Sequence, residues 1–372
     1  MTPTVSEIIH IVNNLAPPSL AEDWDNIGLQ VGNFNWPVKN IWIALDPIYQ
    51  VVDAACQQDV DMLITHHPLI FNPLKSIEFN TPVGSIVEMA TRHHLSIFTA
   101  HTNLDSAIGG INDILAHRIG LNRLKPLSRA ETSKLFKMVI YAPRAAEGRI
   151  SRALFQNLPE NGRQVLRRSF DNVITRKIGI PAKGIAADRS DDSFLHEDQI
   201  RIEIDLGDDD LTHIIEALAG YLSEESSGFD VFPLVSRPPR WGIGRIGNLE
   251  QTTDLKSFAL MIKKKLGIKI LKIVGDPALP VKKAAVCTGS GSSLLPNFLA
   301  SDAQVYVSGD LRYHDARDVQ AANLGLIDIG HFSSEHLIVD VMAEQLNARL
   351  AESQLTAAAK ICNFEKDPFT FL

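Results

Sequence analysis

The spacing of apolar residues alternates between two periods over the first 125 residues, which predicts strands and helices in turn. Residues 4–15 carry apolar side chains at helical spacing, begin with a capping box between Thr4 and Glu7, and stop before Pro17. Strands that alternate with helices are typical of an α/β domain with a largely parallel sheet. The predicted strands span 39–45, 61–65 and 95–100, and the further predicted helices span 50–58, 85–94 and 110–120.

A different pattern begins near residue 130 and continues to residue 238. An amphipathic segment, 148–158, follows the first predicted strand of this region, and a polar stretch at 160–195 has no clear period. The resulting order of strands and helices suits a small α+β ferredoxin-like unit. The predicted strands of this region span 134–143, 200–206 and 229–235, and its second helix spans 211–222.

The α/β pattern resumes after the Pro/Gly-rich segment 236–247. A predicted helix at 255–266 follows, and strand-like runs then alternate with helical segments through the rest of the chain. The simplest arrangement is one α/β body made of residues 1–129 and 239–372, into which residues 130–238 are inserted as an α+β domain.

Composition places the chain among ordinary globular proteins, with 45% apolar and 22% charged residues over 372 positions. A net charge of -8 provides no basic surface for duplex nucleic acid, although a small anionic ligand can bind through local cations or metals. Cys56, Cys287 and Cys362 form no metal or disulfide motif and are expected to be small buried side chains. The N-terminus lacks a signal sequence, and no apolar run reaches the roughly 18 residues of a membrane span, so we expect a cytoplasmic protein.

Polar residues follow three of the predicted strands, at the carboxyl ends where α/β sheets place their ligands. The run "LITHHP" contains His66 and His67, adjacent residues that a straight strand would direct to opposite faces. The run "FTAHTNLDSA" carries Asp105, and "LIDIGHFSSEH" carries His331 and Glu335. Each of these residues alone has an ordinary explanation, as a surface histidine or as a carboxylate at the start of a helix.

Taken together, three imidazoles and two carboxylates from separate strand ends form a metal-ligand set. The absence of thiolates from this set favours Zn, Mn, Fe or Ni bound through nitrogen and oxygen. Five ligands exceed one tetrahedral site and fit two divalent cations with a bridging carboxylate. Glu335 is the candidate bridge, because it lies one helical turn after His331. Two cations about 3.5–4 Å apart would hold and acidify a water molecule for hydrolysis.

Three further features each have two explanations. His101 either steadies a ligand, orients substrate or transfers a proton, or simply ends its strand. Asp310, Arg312 and His314 follow another predicted strand, where they either orient substrate and transfer protons or begin a solvated helix. The Gly/Ser turn 287–295 either offers backbone N–H groups to a phosphate or is a tight connection from strand to helix.

Seven motifs of this chain occur in the order of one protein family. They are "WDNIGLQVG" (24–32), "ITHHPLIF" (64–71), "AHTNLDSA" followed by "GGIND" (100–113), "GIGRIG" (242–247), "AVCTGSGSSLL" (285–295), "VSGDLRYHDA" (307–316) and "DIGHFSSEH" (328–336). The chain therefore resembles the Nif-three-like dinuclear-metal hexameric proteins, which are also called GTP cyclohydrolase 1 type 2 homologues. The matching motifs lie in both ends of the chain, outside the inserted segment.

The resemblance implies a ligand set, a fold and an assembly. The residues at the family's metal-ligand positions are His66, His67, Asp105, His331 and Glu335, which would hold two divalent cations. The implied fold has two three-layer α/β halves around a metal cleft. The implied assembly is a toroidal homohexamer.

Longer members of this family carry an inserted PII- or CutA-like domain, and the segment 130–238 resembles one. Their His-Pro-Tyr-Glu-Glu-Pro run corresponds here to part of "AGYLSEESSGFDVFPL", which keeps Glu224 and Glu225 but lacks the histidine and the prolines. A ligand-sensing role and a structural lid therefore both stay open for this segment.

The activity implied by the resemblance is a GTP cyclohydrolase reaction, in which activated water attacks C8 of guanine, opens the imidazole ring and releases formate. Two alternatives stay open: a metal-dependent hydrolase for another nucleotide or a phosphoester, and a metal-binding hexameric scaffold or regulator. The expected partners are a small-molecule substrate, such as GTP, and further copies of the chain.

Overall fold

The computed structural model describes residues 1–128, 135–157, 199–219, 228–234 and 241–370. The chain forms two compact units, of which the first combines Met1–Ala130 with Pro239–Leu372 and the second comprises Glu131–Pro238. The polar stretch at 160–195 lies outside the described residues.

Strands and helices alternate along most of the chain, as the apolar spacing predicted. The strands are β1 (Gly28–Val31), β2 (Asn40–Ala44), β3 (Met62–Thr65), β4 (Ser96–Thr99), β5 (Leu121–Pro126), β6 (Leu135–Pro143), β7 (Gln199–Gly207), β8 (Gly228–Pro233), β9 (Arg245–Asp254), β10 (Lys272–Val274), β11 (Pro280–Ser290), β12 (Val305–Gly309), β13 (Gly325–Asp328) and β14 (Ala358–Ile361). The helices are α1 (Val5–Leu15), α2 (Tyr49–Gln57), α3 (Pro82–Arg92), α4 (Thr102–Ser106), α5 (Ile111–Arg118), α6 (Glu147–Asn157), α7 (Asp208–Ala219), α8 (Leu255–Leu266), α9 (Leu295–Leu299), α10 (Tyr313–Ala321), α11 (His331–Glu335) and α12 (Leu337–Glu352).

The first sheet has the strand order β1-β4-β3-β2-β14. Strands β4, β3, β2 and β14 run parallel, and β1 is antiparallel to β4. Successive side chains of β2 enter two separate cores. Ile41 and Ile43 pack in the core that contains α1 and α12, whereas Trp42 and Ala44 pack in the core that contains α2 and α3. Helices therefore cover both faces of this sheet, which explains its nearly continuous apolar strands.

The second sheet has the strand order β10-β13-β12-β11-β9-β5, with β11, β12 and β13 parallel. Its faces are also both covered. Val305 and Val307 of β12 pack in a core with α5 and α8, and Tyr306 between them packs in a core with α9 and α10. These two sheets confirm the predicted α/β class with two halves.

The two chain segments of the first unit exchange strands. Strand β5 comes from the N-terminal segment and joins the second sheet beside β9, whereas β14 comes from the C-terminal segment and joins the first sheet beside β2. Each sheet is therefore completed by the other segment, which explains why both segments belong to one unit. The apolar spacing did not predict β1, β5, β9 or β14, which are short or partly exposed strands with weak alternation.

A buried arginine fixes the loop that follows α4. The Arg245 guanidinium donates to both carboxylate oxygens of Asp113, with Nε 2.5 Å from Oδ1, and to the carbonyl oxygens of Ala107 and Gly244, each at 2.8 Å. Arg245 begins β9 and Asp113 lies on α5, so the ion pair ties the two chain segments together. The loop held in this way connects α4 to α5.

The second unit contains a three-stranded antiparallel sheet of order β7-β6-β8 within its described part. Met138 and Ile140 of β6 and Ile202 of β7 pack against α6 and α7 in a separate core. The order β6, α6, β7, α7, β8 agrees with the predicted alternation. The relation to a PII- or CutA-like domain stays a prediction, and the glutamates at 224–225 lie outside the described residues.

Two expectations from composition concern single residues and membrane spans. Cys56, Cys287 and Cys362 are free and buried, which confirms that they pack as small apolar side chains. Among the helices in the described ranges, none is long and apolar enough to cross a bilayer.

Candidate metal centre

All five predicted ligands lie in one cluster with His101, at the carboxyl ends of β3, β4 and β13. Polar residues that follow the parallel strands β3 and β4 meet at one edge of the first sheet, whereas those that follow β13 come from the second sheet, so separate stretches of sequence from both sheets contribute to one site. His66 and His67 follow β3, His101 and Asp105 follow β4, and His331 and Glu335 begin and end α11.

A bend after β3 explains how two adjacent histidines serve one site. The Thr65 hydroxyl donates to the carbonyl oxygen of His67 at 2.8 Å, which turns the chain directly after the strand. The rings of His66 and His67 then lie beside each other, with centroids 5.1 Å apart. The alternation of side chains along a straight strand therefore does not apply at this point.

Each of the four histidines is held through Nδ1 by an oxygen outside the cluster. A hydrogen bond donated by Nδ1 fixes the ring orientation and the tautomer in which Nε2 is free to bind a metal. The contacts are His66 with the Ala100 carbonyl (3.1 Å), His67 with Asp46 (2.7 Å), His101 with Asp25 (2.8 Å) and His331 with Asp310 (2.8 Å). This arrangement is the one found around histidine ligands of protein-bound metals.

Two of the supporting carboxylates come from the strand next to the histidine that they hold. Asp46 follows β2, the parallel neighbour of β3, and Asp310 follows β12, the parallel neighbour of β13. Asp310, a candidate for substrate orientation or proton transfer, thus lies against the outer nitrogen of His331. Sequence reasoning missed Asp46, although it follows the predicted strand 39–45 directly and met the same criterion as Asp310.

Asp25 was also missed as a residue of the site, although it lies in the "WDNIGLQVG" motif. Its carboxylate accepts hydrogen bonds from the Thr102 backbone N–H at 3.0 Å and from the Thr102 hydroxyl at 2.5 Å, besides its contact with His101. Burial opposes ionisation of Asp25, but these contacts outweigh it and lower the pKa of its carboxyl to about 2. One ring nitrogen of His101 lies within 4.8 Å of ring nitrogens of His66 and His67, so His101 borders the ligand cluster directly.

Glu335 lies at the centre of the cluster, and its side chain is buried. Its Oε1 is 3.7 Å from His66 Nε2, whereas its Oε2 is 3.0 Å from His67 Nε2 and 2.9 Å from His331 Nε2. The two oxygens therefore face two different groups of ligands. Asp105 completes the first group, with Oδ1 3.7 Å from His66 Nε2.

Two buried atoms of this cluster lack hydrogen-bond partners. Within the described part of the chain, neither His66 Nε2 nor Glu335 Oε2 makes a hydrogen bond, and the carboxylate oxygens beside His66 Nε2 lie 3.7 Å away. Burial of unpaired polar atoms costs free energy unless another partner binds them. A divalent cation is such a partner, since ligand atoms of a tetrahedral cation with 2.0–2.1 Å bonds lie about 3.3 Å apart. The residues present therefore fit a metal.

The Gly/Ser turn makes room for Glu335. A Cβ at Gly289 would overlap Glu335 Oε1 and lie 3.2 Å from its Cδ, so only glycine leaves space for the carboxylate. The Gly289 N–H donates to the Ser334 hydroxyl at 2.8 Å, and the Thr288 N–H donates to Asn112 Oδ1 at 2.9 Å. These two N–H groups are used within the fold, so this part of the turn positions the cluster and has no free donor for a phosphate.

The charges of the cluster shift the pKa values of its members. The Glu335 carboxylate raises the pKa of His331 to about 9, and Asp46 and Glu335 together overcome burial to raise the pKa of His67 to about 10. Burial opposes ionisation of Glu335, but the surrounding histidines outweigh it and hold its pKa well below its usual range. The cluster without metal therefore pairs ionised carboxylate with protonated imidazoles, and cations would displace those protons.

The remaining predicted site residues lie on α10 or at its start. The ring of His314 contacts that of Tyr313, and Arg312 pairs with Asp315. Among the described residues, His314 does not belong to either group of three side chains whose ligand atoms lie within 4.8 Å of one another. A role of His314 in proton transfer stays a prediction.

Comparisons with known proteins agree with the motifs and the fold. The family model described as Duf34/NIF3 (NGG1p interacting factor 3) matches residues 3–368. The chain is 31% identical over 368 residues to a GTP cyclohydrolase 1 type 2 homolog of Bacillus subtilis, with 98% of each chain covered. It is 32% identical over 375 residues to a protein of the same name from Mycobacterium tuberculosis, covering 99% of this chain and 97% of the other.

Solved structures show the same fold over the full length. The crystal structure of a Bacillus cereus protein related to NIF3 has a TM-score of 0.71 and 30% identity, and covers 100% of this chain and 99% of that one. Staphylococcus aureus protein SA1388 has a TM-score of 0.74 and 25% identity, with 100% of both chains covered. Sequence motifs, family model and fold therefore agree, and the chain belongs to the Duf34/NIF3 family.

Proposed function

We propose that the cluster binds two divalent cations bridged by Glu335, and that the protein is a metal-dependent hydrolase. The observation that supports this most strongly is the position of the Glu335 carboxylate. One oxygen faces His66, and the other faces His67 and His331, with separations of 2.9–3.7 Å. A carboxylate with two oxygens directed to separate ligand groups is the arrangement expected of a bridge.

The ligands divide into two groups on the same basis. His66 and Asp105 would hold one cation with Glu335 Oε1, and His67 and His331 would hold the other with Glu335 Oε2. Imidazole and carboxylate ligands without thiolate suit Zn, Mn, Fe or Ni. Such a pair of cations, when bound, supplies Lewis acidity and lowers the pKa of a water molecule toward neutrality.

The chain itself supplies orientation and charge around this site. Asp46, Asp310 and the Ala100 carbonyl hold three of the ligand rings, so their Nε2 atoms stay directed at the cluster. His101, held by Asp25, borders the same cluster and is the candidate to orient substrate or to hold a proton at its second ring nitrogen.

For the substrate we propose GTP, which the name of the relatives, GTP cyclohydrolase 1 type 2 homolog, supports. Hydrolysis at C8 of guanine breaks the bonds of C8 to its two ring nitrogens, opens the imidazole ring and releases C8 as formate. Two water molecules supply the two oxygens of formate, and the two nitrogens released from C8 take up protons from the same waters. A water-activating site without thiolates is chemically suited to this reaction.

Metal stoichiometry tests the division into two groups. Elemental analysis should find that His66→Ala and His67→Ala each lose one of the two cations. The double variant of His66 and His67 should lose both, whereas the double variant of His67 and His331 should keep one. If the double variant of His66 and His67 and the double variant of His67 and His331 lose the same amount of metal, the proposed division of the ligands into two groups is wrong.

A formate assay tests the substrate. Protein loaded with Zn²⁺, Mn²⁺, Fe²⁺ or Ni²⁺ should release formate from GTP, and Asp105→Asn should not. If the native protein binds both cations but releases no formate, the GTP cyclohydrolase proposal fails. A panel of other nucleotides and phosphoesters would then distinguish a different hydrolase from a metal-binding scaffold.

We also propose that the protein forms the homohexamer implied by its family resemblance. Size-exclusion chromatography with light scattering should find a mass about six times that of the chain. A monomer at micromolar concentration contradicts this proposal without affecting the metal centre.

A further inference from the structure

Two large aromatic side chains beside the ligand cluster are exposed. Trp24 is 59% exposed and Phe71 is 53% exposed, and their ring centroids lie 5.8 Å apart. Trp24 also meets His101 edge to face, with ring centroids 6.1 Å apart. Burying such rings is strongly favourable, so a pair of them left in solvent beside a polar cluster suggests a place where another group packs.

The backbone around both rings is fixed, although the rings themselves are exposed. Next to Trp24, Asp25 accepts hydrogen bonds from Thr102 and holds His101. Asn26 Nδ2 donates to the carbonyl oxygen of Ile70 at 2.5 Å, directly before Phe71.

Two further hydrogen bonds join the same two segments. The Ile70 N–H donates to Gln30 Oε1 at 3.2 Å, and the Gln30 amide donates to the carbonyl oxygen of Asn26 at 2.9 Å. The segment that carries Phe71 is therefore joined to the segment that carries Trp24. The backbone that carries the two rings is held in place, and the rings contact each other, which reduces the entropy lost when a ligand packs on them.

The ring of His101 contacts both Trp24 and the histidines of the candidate metal centre. His101, which contacts Trp24, has its ring centroid 5.2 Å from that of His66 and 5.7 Å from that of His67. A flat ligand that packs on Trp24 beside His101 would thus lie next to the ligand cluster. A bicyclic heteroaromatic ring has the apolar faces for the first contact and the polar edge for the second.

We propose that Trp24 and Phe71 form a stacking site that binds the base of a purine nucleoside and directs its imidazole edge toward the candidate metal centre. This inference rests on the proposed function, since it assigns recognition of the base to that same site. Aromatic side chains stack on bases because every base has a π-face, and such contacts make large contributions to binding. Trp24 and Phe71 are then specificity-determining residues that act before any bond is broken.

Binding measurements with two probes test this proposal. Isothermal titration calorimetry of the metal-loaded protein should detect guanosine, which has a base but no phosphate. Trp24→Ala and Phe71→Ala should each weaken guanosine binding roughly 10-fold or more, whereas Trp24→Phe should retain most of it. Binding of tripolyphosphate, which has no base, should be unchanged in all three variants.

Phe34→Ala is the matched control. Phe34 is 55% exposed, like Phe71, but follows the other end of β1 from Trp24. This variant should bind guanosine as the native protein does. Metal content, measured for every variant, should stay at the native value, because the proposed role of Trp24 and Phe71 is to bind the base and leaves the cations in place.

The outcomes separate this inference from the proposed hydrolase. Guanosine binding that depends on Trp24 supports the stacking site even if no formate is released from GTP. Guanosine binding that is absent, or equal in Trp24→Ala and native protein, overturns it even if GTP is hydrolysed. A second copy of the chain is the other group that could pack on these rings, and light scattering tests for it. If Trp24→Ala dissociates the assembly and guanosine does not bind, the rings form a contact between subunits and the proposal is wrong.

Discussion

The variant Gly289→Ala tests whether metal binding depends on the position of the Glu335 carboxylate, as distinct from the stability of the fold. Gly289 has a φ of +63°, and its missing side chain leaves the space that the Glu335 carboxylate occupies. An alanine Cβ would lie 3.2 Å from Glu335 Cδ and closer still to Oε1. The carboxylate must then retreat by about 1 Å to restore an ordinary van der Waals separation. This movement is sterically easy, because the atoms displaced are the end of a flexible side chain.

Gly289→Ala should change both the free energy of unfolding and the affinity for metal. The left-handed backbone costs about 1–2 kcal/mol when glycine becomes alanine, and this part lowers the free energy of unfolding. Displacement of Glu335 affects both proposed cations, since each oxygen faces a different ligand group. Mutation of an outer partner of a metal ligand already costs 10–100-fold in affinity, so we expect a loss of about 100-fold or more, equivalent to about 2.8 kcal/mol.

Gly267→Ala is the matched control for this experiment. Gly267 has nearly the same φ, +67°, but has no atom within 4 Å of the added Cβ. Urea denaturation in EDTA should show similar losses of stability for both variants. Competition with a chelator for Zn²⁺ should show weakened binding for Gly289→Ala alone. If Gly289→Ala binds Zn²⁺ like the native protein, or if Gly267→Ala loses as much affinity, the proposed role of Glu335 as a bridge is wrong.

Three other predictions concern the ion pairs around the site. Arg245→Met should lower the free energy of unfolding by about 3–5 kcal/mol, because it leaves the Asp113 carboxylate without its buried partner; a loss below about 1 kcal/mol in urea denaturation contradicts this. Asp46→Ala should release the His67 ring and weaken Zn²⁺ binding about 10–100-fold in chelator competition. Unchanged affinity would show that Asp46 does not orient His67 for metal binding. In metal-free protein the pKa of His67 is raised to about 10 and that of His331 to about 9, so their contribution to stability is complete below about pH 6.5 and disappears as the pH rises through these values. The free energy of unfolding in EDTA should therefore fall between pH 6.5 and pH 10, and a rise over that range would refute the assignment.

The sequence alone was sufficient for features that depend on neighbouring residues. The capping box of Thr4 and Glu7 begins α1 as predicted, because both partners lie within one helical turn. The parallel strands of both halves follow from short apolar runs that are buried on both faces. The search for polar residues at the carboxyl ends of these strands selected His66, His67 and Glu335, since α/β sheets place their ligands at those ends.

The tertiary structure decided every feature that depends on pairing between distant segments. Asp46 supports His67 because β2 lies beside β3, and no local period shows which strand will be the neighbour. Gly289 leaves space for Glu335 across a separation of 46 residues, so its role depends on how β11 and α11 pack. The exposure of Trp24 beside His101 also depends on packing, because an aromatic residue in a sequence is as compatible with a core as with a binding surface. Local periodicity thus determined which residues end strands, and long-range packing determined which of them meet.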